Sequence, residues 1–465
     1  MTERTAANGL RPDVPTGGQP RAAPGIWGVS WEHLATGALV VFSIVFSLVP
    51  TSFNMTEIGP EATHEISGGS SIRQIQFGAL FLLAAFLCWR HASTSVRLLT
   101  RGLNPFMPLT LLYCGASTLW SAYPTISIKR TILFIGLLLI GAAISPPIGS
   151  PRQFTRATLV ALTALCGASA VVAIALPHIG VDTMLGGAWR GILWQKNMLG
   201  SIAGIGVMLW LREWLARTVP GPICIGGFLL CLLVLVMAKS ATSILVTTMG
   251  IAIYLACRRT WLAGNSPGLR IALGGAVVLV LTVHLWYTAV GEMPDWQDIA
   301  GPIAGLFNKS TDLTGRADIW RLTLYAAMQH PVWGIGYGAF WTGEDGPAQF
   351  IADALAWMPA HAHNGYIDIF NELGAVGSSL VAGLLLWHAY QLARLFWIDR
   401  EDAAIHTALF ALIIVSNFSE SQLLAEVSFQ NLMFIYSSVT MSATLWMAKR
   451  ARIEQALAAL GRQRE

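Results

Sequence analysis

The chain has 465 residues, of which 54% are hydrophobic and only 12% are charged, with a mean hydropathy of +0.57 and a formal net charge of +4. This composition excludes one or two ordinary soluble domains, in which about a quarter of the residues are charged. The sequence therefore predicts an all-α integral membrane protein with many spans.

Apolar runs of about 14 to 27 residues recur along the whole chain and predict twelve transmembrane helices. The predicted spans are 33–50, 75–89, 105–120, 128–144, 158–177, 198–211, 223–238, 242–257, 271–290, 366–392, 403–416 and 431–448. Residues 1–30 are polar and rich in proline and glycine, which predicts a disordered tail and no cleavable signal peptide. The predicted membrane domain covers 31–450, and a second tail covers 451–465.

The basic residues indicate an orientation, because short loops that stay in the cytoplasm carry an excess of lysine and arginine. With the amino terminus inside, twenty of the 29 lysine and arginine residues fall on the cytoplasmic side, and both tails are cytoplasmic. Segment 291–364 then forms a large outer loop between the ninth and tenth spans. The nine cations on the outer side or at its membrane edge are Arg73, Lys129, Arg130, Arg190, Lys196, Lys239, Lys309, Arg316 and Arg321.

These outer cations oppose the usual bias, and an anionic ligand at the outer face would account for them. Arg190 and Lys196 lie just before the sixth predicted span, where backbone amides at a helix start would strengthen the attraction for a phosphate. An arginine fork beside a movable lysine charge suits a diphosphate. Arg130 and Lys239 lie at a comparable depth and could converge with them. The alternative is snorkelling to lipid headgroups, which we favour for Arg73, Lys129 and Lys309.

The outer loop has local structure of its own. Apolar residues at helical spacing predict a short amphipathic helix from Thr314, which stops at His330-Pro331. A glycine-aromatic strip follows at 333–341, but it lacks the strand-turn-helix context and the Lys-Ser/Thr of a nucleotide loop, so that reading is rejected. The aromatic side chains of this strip are expected either to stack on sugar rings or to seat the loop among lipid headgroups.

Two histidines, His361 and His363, close the outer loop where the tenth span begins. A neutral imidazole can take a proton from a hydroxyl near neutral pH, so His363 is a candidate general base, held by Asn364 or by an acid such as Glu372. His361 is expected to support it or to pack, and the alternative for His363 is a packed histidine bonded to backbone. The spacing lacks a His-Glu-x-x-His pattern, so neither a metal nor another cofactor is predicted.

Four segments together resemble the O-antigen ligase and Wzy-type polysaccharide polymerase superfamily, in particular its exopolysaccharide-polymerase members. They are Trp189-Arg190-Gly191 with Lys196-Asn197-Met198-Leu199-Gly200, Gly315-Arg316 with Trp320, the segment 330–338, and His363-Asn364 with Gly374. The resemblance covers nearly the whole chain. It implies the fold of class C glycosyltransferases, with about twelve transmembrane helices and a large periplasmic loop between the ninth and tenth.

The resemblance implies metal-independent, inverting glycosyl transfer from a glycan on undecaprenyl diphosphate, at the periplasmic face of the bacterial inner membrane. Arg190 would bind the diphosphate, and His363 would deprotonate the acceptor sugar hydroxyl. Lys239 lies where ligases often carry an arginine, and Arg316 is carried over as a loop residue of its motif. The expected reaction is polymerisation of exopolysaccharide or O-antigen repeats, and the alternative is ligation to a lipid A-core acceptor. Membrane lipid and other polysaccharide-assembly proteins are the remaining candidate partners; no nucleic acid is expected.

A transporter or lipid flippase is the alternative from another functional class. Such proteins place ionisable groups within their spans for coupling or substrate passage. Here the predicted spans are almost free of mid-membrane acids, and the charges gather at one edge. This distribution favours an enzyme that works at the membrane surface, and a structural scaffold would leave the outer cations unexplained.

Overall fold

The computed structural model describes residues 30–51, 70–146, 148–183, 185–258, 314–343 and 346–462. Within these ranges the regular secondary structure is helical apart from a two-stranded ribbon, in which β1 (Val181–Asp182) pairs antiparallel with β2 (Ala188–Trp189). The α-helices are α1 (Trp31–Leu48), α2 (Ser71–Arg90), α3 (Ala92–Arg97), α4 (Phe106–Ala116), α5 (Pro124–Ile144), α6 (Gln153–Ala175), α7 (Pro177–Gly180), α8 (Lys196–Ala216), α9 (Gly221–Met237), α10 (Ala241–Cys257), α11 (Thr314–Ala327), α12 (Gln349–Leu355), α13 (Gly365–Leu395), α14 (Arg400–Ser416) and α15 (Phe429–Arg462).

Six of the described helices are long and apolar enough to cross a membrane, namely α1, α2, α5, α6, α8 and α13. Three shorter apolar helices are α4 with its 3-10 extension, α9 and α10. The chain is thus a multi-pass membrane protein. Eleven of the predicted spans coincide with described helices, whereas the ninth, 271–290, lies outside the described residues, as does 291–313. The total of twelve spans and the position of the outer loop therefore stay predictions.

Several helices begin at residues whose side chains accept a backbone hydrogen bond. Ser30, Ser240 and Asp399 each accept from the amide three residues further along, at the starts of α1, α10 and α14. Such caps satisfy amide groups that have no partner within the helix. Helix α15 runs beyond its predicted span, because residues 451–462, expected as a tail, continue it as helix.

Helices α8 and α10 pack closely because glycine faces hydroxyl residues across their contact. A Cβ added to Gly200 would lie 2.6 Å from the Ser243 hydroxyl oxygen, and one added to Gly204 would overlap Thr247. Small residues allow this approach of helix backbones within membranes, where packing rather than water exclusion drives association. The contact brings the amino-terminal ends of α8 and α10 together.

Polar side chains collect at two ends of the helix bundle. The described part of the predicted outer loop, residues 314–343 and 346–364, is called the outer segment. At the end of the bundle away from it, Arg212 lies 3.4 Å from Asp402, both buried, and Arg258 lies 2.7 Å from Glu401. These arginines belong to the predicted cytoplasmic set. The predicted outer cation Arg130 lies near the amino-terminal end of α5, at the other end of the bundle. The two ends therefore separate the charges as the sequence predicts, while the side on which each lies is still a prediction.

The outer segment docks on a break in α13. The predicted amphipathic helix is present as α11, and the glycine strip follows it. Gly374 has φ +62° inside α13. This break lets the Ala375 amide donate to the Pro331 carbonyl and the Gly336 amide donate to the Glu372 backbone carbonyl. A Cβ at Gly374 would lie 2.3 Å from the Val332 carbonyl oxygen, so the close approach requires glycine.

A small apolar core supports the outer segment. Its buried members are Ile319, Phe340, Trp341, Ala348, Ile351 and Ala362. The aromatic side chains of the strip therefore divide: Phe340 is 1% exposed and packs in this core, whereas Trp333 is 58% exposed. The core joins α11, α12 and the turn 361–363, here called the histidine turn, into one unit above the bundle.

Candidate active site

A cleft of about 1190 Å³ opens where the outer segment meets the bundle. Its walls come from the amino-terminal ends of α5, α8 and α13, from α12, and from the connection between α14 and α15. His361, His363 and Arg130 lie in these walls, as does Arg73. Cavities of this size are typical of ligand sites, which makes the cleft the candidate active site.

His363 is held in an unusual backbone conformation. Its φ is +53°, which ordinary residues adopt at a cost of about 1 kcal/mol or more, and such strain is concentrated at functional sites. The His363 amide donates to His361 Nδ1 at 3.0 Å, and the next side chain, Asn364, caps α13 by accepting from the amides of Tyr366 and Ile367. Asn364 therefore fixes the helix start that carries His363.

Two neighbours hold the turn between the histidines. The Trp320 indole donates to the Ala362 carbonyl at 2.9 Å, and the Ala362 amide donates to the Asp368 carboxylate at 3.1 Å. Asp368 also accepts from the Trp341 indole at 2.8 Å and from the hydroxyl of Ser421. The turn is thus clamped from α11 on one side and α13 on the other.

The carboxylate beside His363 is Glu420, which follows the end of α14. Its Oε2 lies 3.3 Å from His363 Nδ1 and 3.8 Å from His361 Nε2. Its Oε1 accepts from the Asn197 amide at 3.4 Å and lies 3.9 Å from Arg316 Nη2. Glu420 thereby joins the histidine turn to α8 and α11.

Charge and burial set the protonation of this cluster. Burial would raise the pKa of Glu420, but the hydrogen bond to His363 and the charges of the two histidines and Arg316 lower this pKa to about 2. Burial, together with His363, lowers the pKa of His361 to about 4. At neutral pH, Glu420 is therefore a carboxylate and His361 a neutral imidazole. Because a carboxylate only accepts, the contact assigns the proton between them to His363 Nδ1, and the tautomer with this proton has its lone pair on Nε2.

The same three side chains could hold a metal ion. Ligand atoms of His361, His363 and Glu420 all lie within 4.8 Å of one another. Two imidazoles and a carboxylate form the ligand set of some catalytic zinc sites. His361 Nδ1 already accepts from backbone, so this ring would bind through Nε2. The cluster can therefore serve either as a base with its orienting carboxylate or as a metal site, and metal independence stays a prediction.

Glu372, a sequence candidate for holding His363, has other partners. Its Oε2 accepts from the Gly338 amide at 2.8 Å, and its Oε1 lies 3.5 Å from Arg130 Nη1. Arg130 Nε lies 2.9 Å from Glu426 Oε1. The expectation that Glu372 sits against His363 is corrected in favour of Glu420, because Glu372 lies two helical turns further along α13. Arg130, expected at the diphosphate, is paired with two carboxylates in the cleft wall.

The segments of Arg190 and Lys239 meet at the ribbon. Arg190 is 8% exposed and its Nε donates to the Ile179 carbonyl at 2.8 Å. Lys239 Nζ donates to the Gly186 carbonyl at 2.6 Å, in the turn between β1 and β2. Among the described residues, the cleft wall includes neither of these cations. The structure brings them near each other, and their roles are still predictions.

Asn197 ties these segments to the histidine turn. Its side-chain Nδ2 donates to Glu420, and its side-chain Oδ1 accepts from the Ser240 hydroxyl at 3.0 Å. Lys196 precedes Asn197 in the chain, and Lys239 precedes Ser240. The segments of Lys196 and Lys239 therefore meet at the starts of α8 and α10, and convergence of the cations themselves on one ligand stays a prediction.

Sequence reasoning missed Glu420. The connection that carries Glu420 is ordered by Asn417, which is fully buried and whose side-chain oxygen accepts from the amides of Gln422 and Leu423. An acid in a short connection between two apolar runs, on the predicted outer side, is the signal that could have pointed to Glu420.

Comparisons with known proteins agree with the motifs. Residues 226–382 match the Wzy_C family, described as O-antigen ligase. This segment includes the histidine turn and Arg316, whereas Arg190 and Glu420 lie outside it. The chain is also 26% identical over 325 residues to the exopolysaccharide production protein ExoQ of Rhizobium meliloti (strain 1021), across 67% of this chain and 71% of that protein. Both matches support polysaccharide-related glycosyl transfer or ligation, and they confirm the resemblance to the O-antigen ligase and polysaccharide polymerase superfamily.

Proposed function

We propose that this protein is a polysaccharide polymerase of the bacterial inner membrane. It would transfer a glycan from undecaprenyl diphosphate to a sugar hydroxyl at the periplasmic face, without a metal and with inversion. The observation that carries the proposal is the His363–Glu420 pair at 3.3 Å, because it leaves one imidazole nitrogen as a base at the cleft. The similarity to an exopolysaccharide production protein favours polymerisation over ligation to lipid A-core.

In this reaction His363 Nε2 takes the proton of the acceptor hydroxyl. The hydroxyl oxygen attacks the anomeric carbon of the donor from the face opposite the diphosphate, and the bond from that carbon to the diphosphate oxygen breaks. The electron pair leaves with the lipid diphosphate, so the configuration inverts. The Glu420 carboxylate stabilises the imidazolium that forms, as the carboxylate beside a histidine general base does in other enzymes.

The leaving diphosphate needs positive charge where its oxygens become more anionic. Arg190, Lys196, Lys239 and Arg316 are our candidates for this role. Lys196 and Lys239 flank the starts of α8 and α10, and the positive end of each helix dipole favours an anion there. Arg130 would reach a diphosphate only by giving up its contacts with Glu372 and Glu426.

The transporter alternative gains no comparable support. A carrier needs a path through the membrane for its cargo. The described cleft lies at one end of the bundle, where helix ends and connecting segments line it. A surface reaction fits this position better than passage across the bilayer. Membrane lipid and other polysaccharide-assembly proteins remain the proposed partners.

The test is a product assay with purified protein in detergent, undecaprenyl-diphosphate-linked oligosaccharide and EDTA. A ladder of longer lipid-linked glycans is expected. His363→Ala and Arg190→Ala should abolish it, while the exposed matched controls His330→Ala and Arg321→Ala should keep it. Transfer only when lipid A-core is added would mean a ligase, and loss of the ladder in EDTA, restored by zinc, would mean that the histidine cluster binds metal. The absence of transfer under every condition would favour the transporter alternative.

A further inference from the structure

One face of α12 forms a wall of the cleft opposite the membrane bundle. Gln349, Ala352 and Asp353 lie at helical spacing on this face, and Ala356 and Trp357 continue the cleft wall beyond the end of the helix. The other face is anchored, because Ile351 and Ala348 are fully buried in the small outer core. The helix is therefore fixed from behind and presents a defined polar face to the cleft.

This face has the chemistry of a carbohydrate site. Trp357 is 50% exposed and offers an indole surface, while Gln349 Nε2 donates to Asp353 Oδ1 at 2.8 Å. A carboxylate and an amide together accept from and donate to sugar hydroxyls, and the indole can cover the apolar face of a sugar ring. The described residues of this face include no cation that would select a phosphate. Its carboxylate would also be costly to bury against a hydrocarbon chain.

The position of the face relates it to the candidate base. Helix α12 ends at Leu355, the next residue Ala356 has φ +62°, and Trp357 follows it in the cleft wall. Only three residues separate Trp357 from His361. From Gln349 to Leu355 the helix covers about 9 Å at the usual rise per residue, and Ala356 and Trp357 extend the wall further. That length accommodates more than one sugar ring, so the face suits a glycan chain rather than a single sugar.

We propose that the polar face of α12 with Trp357 is the acceptor-glycan subsite. It binds the sugar chain whose terminal hydroxyl lies at His363. The identity of the acceptor rests on the proposed function, whereas the presence of a glycan-binding face does not. An exposed tryptophan can also sit among lipid headgroups, as Trp333 beside Trp120 would, but Trp357 differs because it lines the cleft.

Direct binding tests the subsite separately from catalysis. The probes are oligosaccharides of one to three repeat units, made by partial hydrolysis of the polysaccharide from the organism that carries this protein. Binding to the full-length protein in lipid nanodiscs is measured by saturation-transfer NMR and titration. Trp357→Ala should weaken binding about tenfold, and Trp357→Phe by less, because part of the stacking surface remains. Asp353→Asn, which removes only an exposed charge, should also weaken it.

Phe350→Ala is the matched control, because Phe350 is an exposed aromatic side chain of the same helix that lies outside the cleft wall. It should leave binding unchanged. In the transfer assay, Trp357→Ala should raise the acceptor KM about tenfold and leave kcat unchanged, as expected for a contact made equally before and during reaction.

Unchanged fragment binding in both Trp357→Ala and Asp353→Asn would overturn the subsite, as would the absence of fragment binding to the unaltered protein. Trp357-dependent fragment binding by a protein that performs no transfer would leave the subsite standing and refute the proposed function.

Discussion

Replacing Glu420 separates charge from orientation at the proposed base. In Glu420→Gln the side-chain oxygen can still accept from His363 Nδ1, so the ring keeps its proton arrangement while the negative charge is lost. In Glu420→Ala both are lost. If His363 gains a proton in the transition state, both variants should be slower than the unaltered enzyme, and the alanine variant, which also loses the orienting contact, should be slower still.

The size of the effect follows from the geometry. At the 3.3 Å separation of Glu420 Oε2 and His363 Nδ1, the attraction of full charges is about 5 kcal/mol at an effective dielectric of 20 and about 1 kcal/mol at that of water. The side chains of His363 and Glu420 are 26% and 16% exposed, so the effective dielectric lies between these two values. We expect Glu420→Gln to cost about 3 kcal/mol, or about a hundredfold in kcat, and Glu420→Ala about tenfold more.

The assay is the initial rate of glycan-ladder formation at saturating donor and acceptor, so that kcat is measured rather than binding. Glu454→Gln is the matched control, because Glu454 is exposed and pairs with Arg450 on the distal part of α15. Size-exclusion profiles and unfolding temperatures of each variant show whether it is folded. A low rate with an intact profile then reports the site.

A Glu420→Gln rate within threefold of the unaltered enzyme would refute the role of the Glu420 charge. Equal rates for the glutamine and alanine variants, both well below the unaltered enzyme, would show that Glu420 acts only by charge. Activity in Glu420→Ala that is restored by added zinc would instead point to a metal held by the remaining histidines.

Two further predictions concern stability and the loop after β2. The pKa of His361 is about 4 in the fold against a usual 6.5, so the unfolded chain binds the proton more readily between these values; this contribution to stability is complete above pH 6.5 and is lost as the pH falls to 4. His361→Asn should therefore flatten the fall of the unfolding temperature in that window, whereas the exposed control His330→Asn should not. Gly191 has φ +61° and a Cβ there would lie 2.2 Å from a side chain of α6. Gly191→Ala should lower both the transfer rate and the unfolding temperature, unlike Gly221→Ala, whose Cβ meets nothing within 4 Å.

The sequence determined the features that depend on local patterning. Apolar runs located eleven of the described helices, because a membrane-spanning segment must satisfy its backbone groups internally and face lipid or other helices. The helical spacing after Thr314 located α11, and the short motifs located the histidine turn. Ordered motifs also indicated the resemblance that the comparisons support, although they could not say which side chains touch.

Only the tertiary structure decided the partners. Glu420 lies 57 residues from His363 in the chain and meets it because α13 and α14 pack side by side. Arg130 finds Glu372 and Glu426 rather than open solvent because three segments close around it. Pairing across such distances depends on how helices pack and where a break such as Gly374 allows docking, and a linear pattern of residue types contains no direct record of either.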